Sequence, residues 1–294
     1  METARSRVLL GLCQAGMRPR VYLLPLALFA LCLIGPDAAL AWGPVAHQVV
    51  TTWAIQTLPP EIRYFFENNR QFLVEHANDP DELMKKDRYE RMRHYIYLDK
   101  YGAFPYLTLP HNYAQAKEKI GSWTIGRNGV LPWQIGEYSL RLTKAMKAGN
   151  WEEAKLDAAA LGHYLADARD PLHTTQNFDG QMTMQTGLSA RFDIHLVDQY
   201  SKFFIMHPDP AEKIDDPTEY AFESCIASNV WVDLVLWSDL RAREGLADYN
   251  DDYYDRFYNR VGPTVVQEIN RAAHDVGSYW YTAWLNAGRP QLPH

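Results

Sequence analysis

Hydrophobic residues recur along most of this chain at the three- and four-residue spacing that gives a helix one apolar face. Glycine and proline stand at the ends of several of these stretches, as Gly149 does between two of them. The spacing predicts helices over Gly43–Leu58, Glu61–His76, Pro132–Ala148, Trp151–Arg169, Leu188–Phe204, Pro217–Ala242 and Pro263–Ala287. We therefore expect an all-α protein.

The segments between these helices are few. Asp79–Glu82 is a turn that can start a short helix, and His94–Leu98 is aromatic and branched, which favours an extended segment. Long loops are predicted over Asp99–Asn112 and Thr174–Thr186. Because no repeat, linker or change of composition divides residues 42–294, we expect them to form a single multi-helix domain.

The first 41 residues have the pattern of a signal peptide. An apolar run, Val21–Ile34, follows several arginines and is too short to span a bilayer comfortably. Ala39 and Ala41 then form the small-x-small pattern that signal peptidase recognises. Cleavage after Ala41 predicts a periplasmic or secreted protein that begins at Trp42, with an uncleaved anchor as the alternative.

Charge and cysteine content narrow the function classes. The chain carries a formal charge of −7, and the predicted cleavage makes it more negative by removing four basic and two acidic residues. Such a protein has no general attraction for nucleic acid or anionic lipid, so a polyanionic substrate needs a local cation such as a metal ion. Cys225 is the only mature cysteine; it excludes an intramolecular disulfide and is interpreted as a buried structural residue.

Metal-ligand residue types cluster around one predicted helix. His163 and Asp167 are four residues apart, so both project from one helix face, and the break at Pro171 lets His173 turn back toward them. Imidazole nitrogen and carboxylate oxygen are ligands that zinc favours. A buried histidine near a capped helix end is the structural alternative. Trp42 as a free N-terminus next to His47 adds further ligand atoms, because its amine and carbonyl can chelate an ion together.

With Asp79 and His94 included, the ordered set resembles the zinc-dependent phospholipase C and single-strand nuclease superfamily, over residues 42 to 193. The resemblance implies an all-α fold with up to three zinc ions in a cleft. It implies a first zinc site formed by Asp79, His94, His163 and Asp167. A second ion would be held by Trp42, His47 and the bridging Asp167. The third site would be formed by His173 and a His-x-x-x-Asp/Glu pair.

The chain departs from the family pattern at that third site. Asp193 matches the acid of the pair, but Ser189 stands where the family has histidine, and a serine hydroxyl is a far poorer zinc ligand. His195 lies two residues beyond Asp193 and therefore about 200° around a helix from it. We expect the third site to be weakened or empty, with retained turnover uncertain.

Three functions fit these residues. The first is an exported phospholipase C-like hydrolase that cleaves a phosphodiester with zinc-activated water, Asp79 orienting or deprotonating the water. The second is a single-strand nuclease, which the sequence around Asp79 favours less, because Asn78 and Glu82 stand where nucleases have alanine and arginine. The third is an exported zinc-binding protein that has lost turnover. No stable protein partner is predicted, and transient contact with a membrane surface is compatible with the first function.

Overall fold

Helices form nearly all of the regular structure in the computed structural model, which describes residues 42–293. The α-helices in chain order are α1 (Pro44–Thr57), α2 (Pro60–Asn68), α3 (Arg70–Glu75), α4 (Asp79–Met84), α5 (Tyr113–Ile120), α6 (Ser122–Asn128), α7 (Leu131–Lys147), α8 (Trp151–Ala168), α9 (Val197–Tyr200), α10 (Pro217–Asn229), α11 (Val232–Arg243) and α12 (Asp251–Asn286). Short 3-10 helices span Arg91–Arg93, Leu98–Lys100, Pro171–Thr174 and Ser201–Phe203, and a π-helix spans Ala190–Leu196. The described residues contain no strand, which confirms the all-α prediction; the predicted signal peptide, residues 1–41, lies outside them.

The helices differ from the sequence prediction in two interruptions, in one start, and in α5 and α6, which the spacing did not predict. The predicted helix Glu61–His76 is interrupted at Asn69, and the predicted helix Pro217–Ala242 is interrupted between α10 and α11. Pro263 does not start a helix but lies inside α12, which begins at Asp251 with the Asn250 side chain accepting a hydrogen bond from the Tyr253 amide. Proline removes one helical hydrogen bond, yet the buried residues on both sides of Pro263 hold the helix continuous. The extended segment predicted over His94–Leu98 is not formed as a strand: His94 has a helical backbone conformation, and Leu98 already begins a 3-10 helix.

Helix α8 lies at the centre of the fold, in contact with α1, α3, α4, α7, α10 and α12. Its last turns are buried on every side, since all residues from 161 to 168 are inaccessible to solvent. The capping residue Asn150 starts the helix by accepting a hydrogen bond from the Glu153 amide, and Pro171 prevents its continuation. Any polar side chain in these last turns must therefore find its partners inside the protein.

Close packing fixes helix α1 beside α8. A Cβ atom at Gly277 of α12 would lie 1.9 Å from the Thr57 hydroxyl oxygen, so only glycine permits this approach of α12 to α1. At the other end of α1, the Gly43 amide donates a hydrogen bond of 2.9 Å to the carbonyl oxygen of Asp193. The Trp42 ring is fully buried and packs on Phe192 with ring centroids 5.5 Å apart. The start of α1 is thus held against the π-helix.

Helix α12 is the longest, at 36 residues. Neither it nor any other helix within residues 42–293 combines the length and the apolar character that crossing a membrane requires.

Candidate metal centre

His163 and Asp167 lie one turn apart on the buried end of α8, as their spacing predicts. His163 Nδ1 is 2.8 Å from the carbonyl oxygen of Ala77. A carbonyl can only accept a hydrogen bond, so Nδ1 carries the proton and the lone pair of Nε2 is left free. That Nε2 atom lies 3.5 Å from Asp167 Oδ2. The ring is therefore oriented so that its Nε2 atom is available to a metal ion.

Three further side chains from distant parts of the chain reach the same place. His47 of α1 stacks on His163 with ring centroids 3.9 Å apart, and its Nε2 lies 3.6 Å from Asp167 Oδ1. His94 Nδ1 lies 2.9 Å from Asp167 Oδ2 and 3.2 Å from His163 Nε2. Asp81 of α4 brings Oδ1 to 3.5 Å from His163 Nε2. We call these residues the five-residue cluster: His47, Asp81, His94, His163 and Asp167.

Asp81 takes the place that the sequence analysis assigned to Asp79. The Asp79 side chain is 56% exposed and pairs with His76, whose Nδ1 lies 2.6 Å from Asp79 Oδ2. Both acids belong to α4, and two residues along a helix correspond to a rotation of about 200°. Only one of them can face α8, and the structure turns Asp81 inward. The predicted roles of Asp79 as ligand and as catalytic residue are corrected accordingly.

The five-residue cluster leaves several buried polar atoms without a hydrogen-bond partner. They are both ring nitrogens of His47, Nε2 of His94, Oδ1 of Asp81 and Oδ1 of Asp167. Unpaired buried polar atoms are rare in native proteins because each one costs free energy. Two sets of ligand atoms lie within 4.8 Å of one another, His47, His163 and Asp167 in one and Asp81, His94 and His163 in the other. Imidazole and carboxylate ligands at this spacing fit a zinc ion.

The electrostatics of the five-residue cluster are uneven. Burial, followed by the charge of His163, lowers the pKa of His47 to about 3. Burial acts in the same direction on His94, but the neighbouring carboxylates of Asp167 and Glu90 outweigh it and raise the pKa of His94 to about 9. For Asp167, burial raises the pKa, yet the charge of His163 and the hydrogen bond from His94 bring it below its usual range. Without a metal ion, a proton on His94 therefore supplies part of the positive charge that balances the neighbouring carboxylates.

Glu90 is a functional candidate that the sequence analysis missed. It is fully buried, one turn before His94, and its Oε1 lies 3.5 Å from His94 Nε2. The Tyr164 hydroxyl and Arg93 both donate hydrogen bonds to the same carboxylate. A carboxylate behind a metal-binding histidine orients the ring and makes it a better ligand. The four-residue spacing of Glu90 and His94 is the signal that could have identified this pair.

His173 and Asp193 lie in a second buried group, together with Asp170. His173 Nδ1 bonds the carbonyl oxygen of His94, and its Nε2 atom is buried without a partner. Asp193 and Asp170 are both fully buried. We call Asp170, His173 and Asp193 the second cluster.

The two substitutes considered for the third site both lie outside it. Ser189 turns its hydroxyl toward Asp179, 3.2 Å from Oδ1, and the Ser189 amide bonds the same oxygen. His195 is exposed and contacts Tyr254, as its place on the helix predicted.

An aromatic surface follows His94 in the chain. Tyr95 and Tyr97 stack with ring centroids 4.4 Å apart, and Phe178 continues the stack 6.0 Å from Tyr97. The loop that carries Phe178 is held by Asp99, which accepts hydrogen bonds from Thr175 and from the Gln176 amide. These three rings are half-buried; two follow His94 closely in the chain, and the third lies in the predicted loop Thr174–Thr186.

The fold of this chain is similar to that of a solved structure. The chain is similar to the alpha toxin from Clostridium absonum, with a TM-score of 0.53 and 14% sequence identity, over 88% of this chain and 67% of the toxin chain. The likeness shows a shared fold. The predicted all-α multi-helix fold is thereby confirmed. No protein-family model matches the chain, and no curated protein matches it by sequence.

Proposed function

We propose that this protein is an exported zinc-dependent hydrolase that cleaves phosphodiesters in the manner of a phospholipase C. The observation that carries the proposal is the five-residue cluster, in which side chains from α1, α4, α8 and the segment after Arg93 converge inside the fold. A bound cation would account for their unpartnered polar atoms, whereas a packed core would not. The resemblance of the ligand order to the zinc-dependent superfamily and the fold shared with the alpha toxin support the same conclusion.

The residues of the five-residue cluster would hold two ions that share Asp167. The two oxygens of Asp167 face different partners: Oδ1 faces His47, and Oδ2 faces His94 and His163. A carboxylate placed in this way joins the two ligand sets. Bound zinc supplies a Lewis acid for a phosphate oxygen and lowers the pKa of a water molecule toward 7.

The chain itself prepares this chemistry in two ways. The carbonyl of Ala77 and the carboxylate of Glu90 fix the rings of His163 and His94, so that each presents one chosen nitrogen inward. Burial of the whole group keeps bulk water away, which strengthens every electrostatic interaction with an anionic substrate. Asp81 is the acid of the cluster closest to solvent, with 12% of its side chain exposed. It is therefore the carboxylate best placed to orient an entering water molecule.

We include export in the proposal because removal of a signal peptide would make Trp42 the N-terminal residue. Cleavage after Ala41 would free an amine at the residue whose ring is buried against the π-helix and whose neighbour Gly43 bonds Asp193. The amine and carbonyl of Trp42 would then complete the ligands around His47. We therefore propose that removal of the signal peptide and activation are one event, in a periplasmic or secreted protein.

Phospholipid head groups are the proposed substrate class. The negative formal charge gives no general attraction for a nucleic-acid strand. Binding of a single small head group needs no such general attraction. The stacked rings of Tyr95, Tyr97 and Phe178 offer an aromatic face to a quaternary ammonium group.

The test uses protein that starts at Trp42, assayed with phosphatidylcholine vesicles, single-stranded DNA and a chromogenic phosphodiester. We expect zinc-dependent release of the phosphorylated head group, and little cleavage of DNA. Asp81→Asn should abolish turnover, whereas the matched control Asp79→Asn should keep it, because Asp79 is exposed outside the cluster.

Other outcomes of this assay would replace the proposal. Faster zinc-dependent cleavage of DNA would assign the protein to the nucleases. Stable zinc binding without turnover on any of the three substrates would identify a zinc-binding protein that has lost its activity.

A further inference from the structure

A cavity of about 680 Å³ lies where helix α7 meets the start of α10, beside the segment that leads into α5. The two helices approach closely at Gly136 of α7, where a Cβ atom would lie 2.2 Å from the hydroxyl oxygen of Thr218 in α10. Cavities of roughly 300–1,000 Å³ are of the size that binds small organic molecules. None of the described residues that line this cavity belongs to the five-residue cluster or to the stack of Tyr95, Tyr97 and Phe178.

Gln134 of α7 brings an unpaired polar group to this cavity. The residue lines the cavity and is only 6% exposed. Its side-chain amide forms no hydrogen bond with the part of the chain that the structure describes, residues 42–293, although buried polar groups nearly always have a partner. The amide is not among the polar atoms sealed inside the core, so a partner can reach it from the cavity. A ligand that forms a hydrogen bond with Gln134 would satisfy this group.

The charges around the cavity are mainly negative. Three carboxylates, those of Glu137, Asp216 and Glu219, line it together with one guanidinium group, that of Arg93. Arg93 already donates a hydrogen bond of 2.5 Å to the buried carboxylate of Glu90, which does not line the cavity. The charge of the guanidinium group is thus balanced from outside the cavity, and the three carboxylates favour a cationic ligand over an anionic one.

His111 does not reverse this balance. Its Nδ1 atom lies 2.7 Å from Glu219 Oε2, so a proton on this ring neutralises one carboxylate at most. The formal charges of Glu137 and Asp216 then remain without a basic partner among residues 42–293.

The apolar part of the cavity is formed by an indole ring and by aliphatic side chains. Trp133 of α7 is fixed by its ring N–H, which donates a hydrogen bond of 2.7 Å to the carbonyl oxygen of His111. Phe222 packs on the same indole ring with ring centroids 5.0 Å apart. Val130 and Leu140 also line the cavity. An indole ring attracts a cation near its face and packs well against apolar groups, so this part of the cavity suits the apolar body of a positively charged molecule.

We propose that this cavity is a binding site for a primary amine carried on an apolar body of about the size of one aromatic ring. The ammonium group would donate a hydrogen bond to the carbonyl oxygen of the Gln134 amide and lie near the carboxylate of Glu137. The apolar body would pack on Trp133. The site needs no metal ion, and the proposal therefore does not depend on the proposed hydrolase activity.

The test is the binding of para-fluorophenethylamine to protein that starts at Trp42, measured by the broadening of its fluorine NMR signal. Two probes with the same ring are compared with it, the uncharged para-fluorophenylethanol and the anionic para-fluorophenylpropionate. We expect the amine to bind about tenfold more tightly than the alcohol, as is typical of one hydrogen bond that involves a charged group. Equal binding of amine and alcohol, tighter binding of the propionate, or no binding of any probe would overturn the proposal.

Two substitutions test the position of the bound amine. Gln134→Leu keeps a side chain of similar size and should remove most of the preference for the amine over the alcohol. Glu137→Gln should reduce this preference about threefold, as expected for a partly exposed charge pair. The matched control Glu118→Gln, at an exposed acid of α5 that does not line the cavity, should leave the preference unchanged. A change that only disturbs the structure would weaken the binding of both probes equally.

Circular dichroism establishes that each variant is folded. Where Gln134→Leu does not fold, Glu137→Gln decides, because Glu137 is exposed. An unchanged preference for the amine in a folded variant of either residue would overturn the proposal.

Chelator distinguishes this site from the candidate metal centre. The preference for the amine should persist in protein treated with EDTA, and also in Phe178→Leu, which shortens the aromatic stack near His94. Loss of the preference under either condition would place the amine at the metal centre and overturn the proposal. The proposed function is tested separately, since phosphodiester turnover requires zinc and binding of the amine does not.

Discussion

Buried carboxylates occur in two regions of this protein, and the surrounding chain treats them in opposite ways. Asp275 of α12 accepts hydrogen bonds from Arg169, from the Tyr220 hydroxyl at 2.9 Å and from the Ser224 hydroxyl at 3.2 Å. Asp239 of α11 is likewise surrounded by donors from Arg191, Gln185 and Tyr253. Around the end of α8, Asp167, Asp170 and Asp193 each keep at least one oxygen without a partner.

The difference is not caused by a shortage of arginine near the second region. The two arginines closest in sequence to Asp170 and Asp193 are those that neutralise Asp275 and Asp239. The first region is therefore complete as folded, whereas the second keeps buried carboxylate oxygens without a hydrogen-bond partner, as the proposed metal centre requires. This contrast distinguishes a structural ion pair from a metal centre more clearly than burial, because burial is the same in both.

The largest effect is expected at Asp167, which joins the two ligand sets. Asp167→Asn removes the charge that both ions would share, so turnover should fall to background and at least one zinc ion should be lost. Elemental analysis and the phosphodiester assay measure the two effects. A variant that keeps its full zinc complement would remove Asp167 from the ligand set and with it the contrast between the regions.

Asp275→Asn should show the opposite behaviour. The change leaves Arg169 buried without its carboxylate, which typically costs about 3–5 kcal/mol in unfolding free energy. Denaturant unfolding in chelator measures this loss, and folded protein should still bind zinc in the native ratio. If chelator treatment removed the difference between the variant and the native protein, Asp275 would also belong to the metal-dependent region.

A smaller effect is expected at Glu90, behind His94. Glu90→Gln keeps the shape of the side chain but weakens the orientation of the His94 ring, and the loss of such an outer partner typically lowers metal affinity about 10–100-fold. Competition with a fluorescent zinc chelator measures the affinity. An unchanged affinity would limit Glu90 to its structural bonds with Arg93 and Tyr164.

The smallest effect is a dependence of zinc affinity on pH. His94 has a pKa raised to about 9 in the metal-free protein, so at neutral pH zinc must displace a proton from it. Affinity should therefore rise with pH, by about tenfold per unit, until the pH reaches that pKa. Calorimetry in buffers of different ionisation enthalpy should detect the released proton. An affinity independent of pH between 7 and 8 would mean that His94 is already neutral.

Much of the fold follows from local sequence. The period of apolar residues around α1, α7 and α8 gave their positions to within a few residues, because one buried face repeats with the helical turn. The errors arose where packing overrides local preference. Pro263 reads as a helix start, but the buried residues before it keep α12 continuous across the proline.

The sequence by itself also determined most of the candidate site. The four-residue spacing of His163 and Asp167 places both on one face of any helix that contains them. The order of His47, His94 and His173 around that pair gave the resemblance from which a zinc centre was predicted.

Only the tertiary structure decided which of the neighbouring acids belong to the candidate metal centre. Asp79 and Asp81 are both aspartates and stand two residues apart, and the choice depends on which side of α4 packs against α8. Arg169 directly precedes Asp170 in the chain, yet in the fold it forms its ion pair with Asp275 of α12. Sequence spacing fixes the direction of a side chain relative to its own helix. Whether that direction leads to solvent, to an arginine or to a metal ion depends on the helices packed against it.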